Sequence, residues 1–240
     1  KELKESFGGT AGNIAYSLSL LGQQPTILAN VGAKDFFVYK KWLQKNKIDI
    51  SKIKVLKNQQ TASAYIITDQ SDNQIAGFFP GAMSQVYKLQ ASKLQADIAI
   101  ISPQNPVDMV KLPKIFKTKK IPYIFDPGQQ VASLSGPQLR SAILGSKVLI
   151  GNDYEISLIS KKTSWSIKQL LEKTEILITT LGEKGSILYC HSAFDAESRS
   201  KNKKMDYRFC GDDIKRIKIS PAKPNNTSDP TGAGDAYRAG

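Results

Sequence analysis

Cysteine, histidine and arginine are scarce in this sequence. Its 240 residues include two cysteines, Cys190 and Cys210, and one histidine, His191. A structural zinc site takes four ligands, mostly Cys and His, so these three side chains cannot complete one without carboxylates. With a single histidine in the chain, a general base is either His191 or a carboxylate, and the scarcity favours a carboxylate.

Arginine also contributes little to the strong positive charge of the chain. Lys and Arg number 34 against 21 Asp and Glu, for a net charge of +13, and only five of the 34 are arginine. Proteins that read nucleic acids rely on arginine for bidentate contacts to bases and phosphates. The lysine excess therefore favours a solvated surface over a nucleic-acid interface. Residues 197–223 carry nine of the basic side chains, and we interpret them as a solvated hairpin or insertion rather than a phosphate-binding arm.

Long apolar runs and common targeting signals are missing as well. No segment approaches the roughly 18 apolar residues of a membrane helix. The N-terminal residues, Lys1-Glu2-Leu3-Lys4-Glu5, lack the apolar stretch of a signal peptide. We expect a cytoplasmic protein with no membrane partner. Because the first residue is not methionine and Ala239-Gly240 continues a helical pattern, we also expect a chain truncated at both ends.

Strand-like and helix-like segments alternate along most of the chain. A helix over residues 11–21 is followed by a short strand, and Asp35 is a candidate N-cap for a second helix that buries Phe36, Tyr39, Trp42 and Leu43. Strand followed by helix in series predicts an α/β fold, a doubly wound and mostly parallel sheet with helices on both faces. The predicted strands are residues 26–31, 98–101, 123–125, 148–150 and 176–179.

Residues 62–80 break this alternation. Two strand-like runs, 62–68 and 74–79, flank Gln70-Ser71-Asp72-Asn73 without a helix between them, which predicts a β-hairpin. Its exposed edges could pair with a second copy of the chain, although covered or charged edges are as common. The sequence leaves the oligomeric state open.

A glycine-rich segment near the end of the chain leads into a predicted helix. It reads Asp229-Pro230-Thr231-Gly232-Ala233-Gly234-Asp235. Glycines at such a turn can point successive backbone N–H groups at a phosphate oxygen, and Asp235 in the first helical turn could accept a proton from a hydroxyl group. A plain N-capped helix after a glycine turn fits the same spacing. Neither G-x-x-x-x-G-K-[ST] nor G-x-G-x-x-G occurs, which disfavours P-loop and Rossmann nucleotide sites.

Two separated motifs make the chain resemble the PfkB family of sugar and nucleoside kinases, which have the ribokinase-like fold. The segment ending at Asp235 resembles the second family signature, and Gly8-Gly9-Thr10-Ala11-Gly12-Asn13 resembles the first. Between them, Gly32-Ala33-Lys34-Asp35 is similar to the G-x-D element, Asn152-Asp153-Tyr154-Glu155 to N-x-x-E, and residues 180–185 to T-x-G-x-x-G. The resemblance spans the whole chain and implies one kinase domain over residues 1–240, with lid strands within about 60–80.

This resemblance implies a role for each matching position. Asp235 would be the catalytic base, with Gly232, Ala233 and Gly234 forming the anion hole. Asn152 and Glu155 would organise Mg²⁺, directly or through water. The positions implied to bind ATP are Thr180, Gly182, Gly185, Asn152, Asp229 and Thr231. The positions implied to bind the acceptor are Gly8, Gly9 and Asn13.

The resulting hypothesis is an ATP- and Mg²⁺-dependent kinase that phosphorylates the 5′-hydroxyl of a ribonucleoside, with adenosine as the first candidate. Short strings such as Pro80-Gly81-Ala82-Met83 and Asp126-Pro127-Gly128-Gln129 look more like adenosine or nucleoside kinases than like sugar kinases. A sugar kinase acting on ribose or a hexose is the alternative within the family. A catalytically incomplete fragment that binds nucleotides or nucleic acid is the alternative from another class.

Overall fold

The described residues form two compact units. The computed structural model describes residues 5–69, 74–90, 92, 94–191, 214–221 and 233–240. One unit, here the terminal unit, comprises Lys1–Leu89 and Asn225–Gly240, and the other, the central unit, comprises Gln90–Pro224. Among the helices of the described part, none combines the length and the apolar character that crossing a membrane requires.

The terminal unit contains the first six elements of the chain and the last helix. They are α1 (Thr10–Leu20), β1 (Asn30–Gly32), α2 (Phe36–Lys45), β2 (Lys54–Leu56), β3 (Ser63–Thr68), β4 (Gln74–Phe79) and α7 (Ala233–Ala239). Strands β1 and β2 pair in parallel, whereas β3 and β4 form an antiparallel hairpin in which Ser63 faces Phe79. The hairpin predicted from the sequence is therefore confirmed. The buried core of this unit comprises Ala15, Ile27, Val31, Phe36, Leu43 and Ile48.

The central unit is built on a six-stranded sheet. Its elements are β5 (Ala99–Ile101), α3 (Pro106–Lys119), β6 (Tyr123–Phe125), α4 (Gly136–Ile143), β7 (Ser146–Asn152), α5 (Asp153–Thr163), α6 (Ile167–Leu171), β8 (Thr174–Thr180), β9 (Ser186–His191) and β10 (Ile214–Ile219). The strand order is β10-β9-β8-β7-β6-β5. Strands β5 to β8 are parallel, and β9 and β10 add to one edge in antiparallel orientation. The prediction of a mostly parallel sheet with intervening helices is confirmed.

Strands β7 and β8 extend beyond the apolar runs that predicted them. Ser146 and Thr174 begin these strands, are buried, and lie opposite each other in the register. The Ser146 hydroxyl donates a hydrogen bond of 2.9 Å to Thr174 Oγ1. The Thr174 hydroxyl in turn donates to the Ser146 carbonyl oxygen at 3.1 Å, so both hydroxyl groups have partners inside the sheet. A search for apolar residues alone misses such a pair.

Two expectations for the region around β1 are corrected. The predicted strand over residues 26–31 is confined to Asn30–Gly32, because Thr26 forms only an isolated bridge to Asp49. Along α2, Phe36 and Leu43 are buried as expected, but Tyr39 and Trp42 are half-buried. Both of those rings contact Phe7, which is itself 39% exposed, and both pack against the edge of the buried core.

Asp35 occupies the N-cap position of α2 but does not cap it. Its side chain makes no hydrogen bond to the helix. The carboxylate instead accepts the backbone N–H of Thr61 at 2.9 Å and the Thr61 hydroxyl at 2.6 Å. Since Thr61 lies two residues before β3, this carboxylate holds the start of the hairpin. The expectation that Asp35 caps α2 was wrong because a partner distant in sequence takes its oxygens.

Part of the predicted basic insertion over residues 197–223 is ordered strand. Residues 214–219 form β10, whose basic side chains Lys215, Arg216 and Lys218 are exposed. Lysines on an edge strand discourage pairing with another chain. Residues 192–213 and 222–232 lie outside the described residues.

Lys162, near the end of α5, fastens this helix to the loop that follows β6. Its ammonium group donates to three backbone carbonyl oxygens, at 2.8 Å to Val131, 2.7 Å to Ala132 and 2.9 Å to Leu134. These carbonyls lie at the end of the 3₁₀ turn Gly128–Ala132 and just beyond it. An ammonium group has three donors, so one side chain satisfies all three acceptors.

We predict that Lys162→Met destabilises the protein by about 1.5–3 kcal/mol, the range for hydrogen bonds to a charged group. Methionine retains most of the apolar stem but cannot donate to the three carbonyls. Lys161→Met is the matched control. Lys161 is the exposed neighbour of Lys162 on α5, and its replacement removes the same charge. Urea unfolding gives both free energies, and equal values for the two variants would contradict the role of Lys162.

Candidate active site

In the terminal unit, residues from the two ends of the chain meet. Helix α1 packs against α7, and Asn13 Nδ2 donates a hydrogen bond of 2.9 Å to Asp235 Oδ2 across 222 residues of sequence. Asp235 lies in the first turn of α7, as its spacing predicted. The structure therefore brings together a residue of the first glycine motif and the carboxylate that ends the second.

Arg238 holds the second oxygen of Asp235. Its Nη1 donates to Asp235 Oδ1 at 2.9 Å, and the two side chains are 18% and 14% exposed. An ionised carboxylate has about four acceptor sites, so Asp235 can accept a further hydrogen bond from a ligand hydroxyl. No role for Arg238 follows from the sequence motifs. The available signal was its position three residues after Asp235, where helical side chains are neighbours.

Gly234 makes room for this ion pair. A Cβ at Gly234 would lie 3.1 Å from Arg238 Nη1, a crowded distance for the guanidinium that reaches back to Asp235. Ala233 begins α7. The other predicted positions in this motif, Asp229, Thr231 and Gly232, lie outside the described residues.

Gly8 and Gly9 are exposed and directly precede α1. Gly9 is the N-cap residue, at φ 86°, a left-handed conformation that favours glycine. A Cβ at either position would have nothing within 4 Å, so conformation rather than crowding explains glycine at Gly9. The Gly8 carbonyl oxygen accepts a hydrogen bond of 2.8 Å from the Tyr39 hydroxyl.

In the central unit, Asn152 and Thr180 lie side by side. They end the parallel strands β7 and β8 and are partners in the register. The carboxyl ends of parallel strands are where open α/β sheets bind ligands. Two residues that the sequence predicted to contact the nucleotide or its metal are thus neighbours at such an edge.

Asn152 and Glu155 form a capping box at the start of α5. Asn152 Oδ1 accepts the Glu155 backbone N–H at 2.8 Å, and Glu155 Oε2 accepts the Asn152 N–H at 2.8 Å. Gly151 permits this fold-back, because a Cβ there would lie 3.2 Å from Glu155 Oε2. The N-x-x-E motif therefore has a local structural role, and it also fixes where the Glu155 carboxylate lies.

The T-x-G-x-x-G segment is a tight turn from β8 to β9. Gly182 and Gly185 have φ values of 58° and 84°, and the Leu181 N–H donates to the Gly185 carbonyl at 2.8 Å. A Cβ at Gly185 would overlap the Ile219 carbonyl oxygen of β10. Glycine is thus required at Gly185 for packing, whereas the space around a Cβ at Gly182 is open.

A magnesium ion would find few protein ligands in the described residues. No group of three or more His, Cys, Asp or Glu side chains that could hold a metal occurs among them. Mg²⁺ often binds proteins through one or two carboxylates while substrate phosphates and water supply the other ligands. Glu155, with one carboxylate oxygen engaged in the capping box, fits that mode of binding and not a cage made by protein alone.

Comparison with known proteins places these residues in a family. The model of the pfkB family carbohydrate kinase matches residues 1–240. The chain is 31% identical over 239 residues to a nucleoside kinase of Methanocaldococcus jannaschii, covering 99% of this chain and 71% of that protein.

Solved structures agree with this assignment. Burkholderia thailandensis nucleoside kinase in complex with inosine is 31% identical, with a TM-score of 0.85 over 99% of this chain and 71% of that one. The same enzyme in complex with ADP-inosine gives a TM-score of 0.81 over 100% and 70% of the two chains. Members of this family transfer a phosphoryl group to a hydroxyl acceptor.

Because the family model matches every residue and the fold matches that of these kinases, this chain belongs to the pfkB family of carbohydrate kinases, has the ribokinase-like fold, and is a phosphotransferase with a hydroxyl group as acceptor.

Proposed function

We propose that this protein is an ATP-dependent nucleoside kinase that phosphorylates the 5′-hydroxyl of a ribonucleoside, with adenosine as the first candidate. The observation that carries the proposal is the 2.9 Å hydrogen bond between Asn13 and Asp235, which joins the motif implied to bind the acceptor to the carboxylate implied to be the base. Relatives that are 31% identical and described as nucleoside kinases support the acceptor class.

In the proposed reaction, the acceptor hydroxyl oxygen attacks the γ-phosphorus of ATP. The new O–P bond forms while the bond to the β–γ bridging oxygen breaks, and ADP leaves with that electron pair. Asp235 accepts the hydroxyl proton. The backbone N–H groups of Gly232, Ala233 and Gly234 would stabilise the charge on the transferred group. Asn13 and Arg238 hold the two carboxylate oxygens, so they orient Asp235 for this proton transfer.

The positions implied to bind the acceptor belong to the terminal unit, whereas those implied to bind ATP come from both units. Gly8, Gly9 and Asn13 of the terminal unit would bind the acceptor hydroxyls. Thr180, Gly182 and Gly185 of the central unit would contact ATP, together with Asp229 and Thr231. Asn152 and Glu155 would hold Mg²⁺, which when bound neutralises charge on the ATP phosphates.

The choice of Glu at position 155 supports a role beyond capping. Among the described helices, α4, α5 and α6 begin with a capping box. The side chain that accepts a hydrogen bond from the N-cap N–H belongs to Gln138 in α4, Gln169 in α6 and Glu155 in α5. Since either side chain completes a capping box, the negative charge at position 155 is available for a cation.

The hairpin of β3 and β4 is proposed as a lid that excludes water during transfer. Five of its large apolar side chains are at least half exposed, namely Tyr65, Ile66, Ile67, Ile75 and Phe78. No lysine or arginine occurs between Lys57 and Lys88, so the hairpin carries no basic side chain. Its pairing with a second copy stays a prediction.

We expect the protein to phosphorylate ribonucleosides in preference to free sugars. The measurement is ADP formation and product identity with a panel of adenosine, inosine, guanosine, cytidine, ribose and fructose. A preference for ribose or fructose would contradict the nucleoside assignment in favour of a sugar kinase. Absence of turnover, combined with DNA or RNA binding that persists at physiological salt, would favour the non-catalytic alternative.

We predict that Asp235→Asn lowers kcat about 10²- to 10⁴-fold, the usual contribution of a positioned general base, and leaves ATP affinity nearly unchanged. Asparagine has a similar shape but cannot accept the proton. Asp97→Asn, an exposed position of the central unit, controls for the change in net charge. Unchanged turnover in Asp235→Asn would refute its assignment as the base.

We predict that Glu155→Gln raises the Mg²⁺ concentration for half-maximal activity about 10- to 100-fold, as losses around metal sites do. The fold should survive, because Gln completes the capping box, so the free energy of unfolding should change by less than about 0.5 kcal/mol. Glu172→Gln, an exposed position of the same unit, is the control. A large loss of stability with unchanged Mg²⁺ dependence would assign Glu155 to capping alone.

A further inference from the structure

A tyrosine on α2 is bonded to the segment that precedes α1. The Tyr39 hydroxyl donates a hydrogen bond of 2.8 Å to the Gly8 carbonyl oxygen. The same hydroxyl lies against Gly12, one turn into α1, where a Cβ would overlap its oxygen. Tyr39 thus touches the first glycine motif at two points, four residues apart, and the second point is next to Asn13.

The ring of Tyr39 is held in place by its neighbours. It stacks on Phe7 with the ring centroids 4.9 Å apart and the planes 5° from parallel. Phe36 meets it edge-on at 6.3 Å, and Trp42 lies at 5.8 Å. A phenol ring fixed on several sides can direct its hydroxyl at one acceptor, with little side-chain entropy left to lose.

Burial also keeps this hydroxyl a donor. It raises the pKa of Tyr39 to about 12. The group therefore remains protonated through the neutral and mildly alkaline range, and its bond to the Gly8 carbonyl does not depend on pH there.

Gly12 is otherwise difficult to explain. It is buried within α1, and glycine in a helix interior costs about 1 kcal/mol relative to alanine. Its φ is not among the positive values that require glycine. The position of the Tyr39 hydroxyl supplies the reason, because any larger residue at Gly12 would displace it.

We propose that Tyr39 is a positioning residue for the acceptor. By holding the Gly8 carbonyl and filling the space above Gly12, it sets the backbone from Gly8 to Asn13 in the geometry that binds acceptor hydroxyls. Gly8 and Gly9 have open surroundings, and glycine has the most backbone freedom to lose, so an anchor here lowers the entropy lost on binding. This inference rests on the proposed acceptor-binding role of that segment.

Tyr39→Phe tests the hydroxyl alone, because the ring and its stacking remain. Losing one hydrogen bond should raise the KM for the acceptor about two- to tenfold, while kcat and the KM for ATP stay at wild-type values. Tyr87→Phe is the matched control. Tyr87 is buried in the same unit and donates to a backbone carbonyl, that of Lys52, away from the glycine motif, so its acceptor KM should not change.

A double-mutant cycle with Gly12→Ala gives a second measurement. Alanine should displace the Tyr39 hydroxyl and raise the acceptor KM at least as much as Tyr39→Phe does. In the double variant the overlapping oxygen is gone, and the nearest ring carbon, Cζ, lies 3.2 Å from the new Cβ. The effects should therefore be less than additive, since both variants remove one interaction.

The outcomes separate this inference from the proposed function. Equal acceptor KM values for wild type and Tyr39→Phe, or additive effects in the cycle, would overturn the role of Tyr39 even if nucleosides are phosphorylated. If the wild type prefers a sugar, the nucleoside assignment fails, and the same KM and kcat comparison with that sugar still decides the role of Tyr39. A loss in kcat and KM together with lowered stability would show a merely structural tyrosine.

Discussion

The hydrogen bond between Asn13 and Asp235 is the constraint on which the chemistry of the terminal unit depends. Helix α7 packs against α1. Within that pairing, one amide from α1 and one guanidinium from α7 fix both oxygens of a single carboxylate. Positions near opposite ends of the chain thereby become one arrangement that can receive a hydroxyl group.

Two carboxylates near helix starts show why spacing alone does not assign a role. Asp35 occupies the N-cap position of α2 but does not bond to the helix, because its carboxylate accepts from the N–H and the hydroxyl of Thr61. Glu155 stays in its capping box with Asn152. The first carboxylate ties a helix to the hairpin, whereas the second is placed by the helix itself. The same side-chain chemistry thus serves tertiary structure in one case and a candidate metal site in the other.

Much of the fold could be predicted from the sequence, because parallel strands buried on both faces appear as short apolar runs. The motifs also indicated that Asp235 lies in the first turn of a helix, which the structure confirms. The helical spacing of Asp235 and Arg238 could have indicated their ion pair, whereas the contacts of Tyr39 could not be predicted. The carbonyl oxygen that accepts from the Tyr39 hydroxyl belongs to Gly8, 31 residues away. Local periodicity contains no information about such distant partners.

The motif positions require glycine for different physical reasons. A glycine substitution can therefore alter folding as well as ligand binding. Gly12 is kept small by the Tyr39 hydroxyl and Gly185 by the Ile219 carbonyl, so a side chain at either position would disturb packing before any ligand is bound. Gly9 and Gly182 have open surroundings and positive φ, so their backbone can adopt a shape that other residues resist. These two positions, like Gly8, leave space beside the backbone for a ligand to approach. Substitutions that preserve shape and remove one polar atom therefore distinguish binding from folding better than substitution of any glycine.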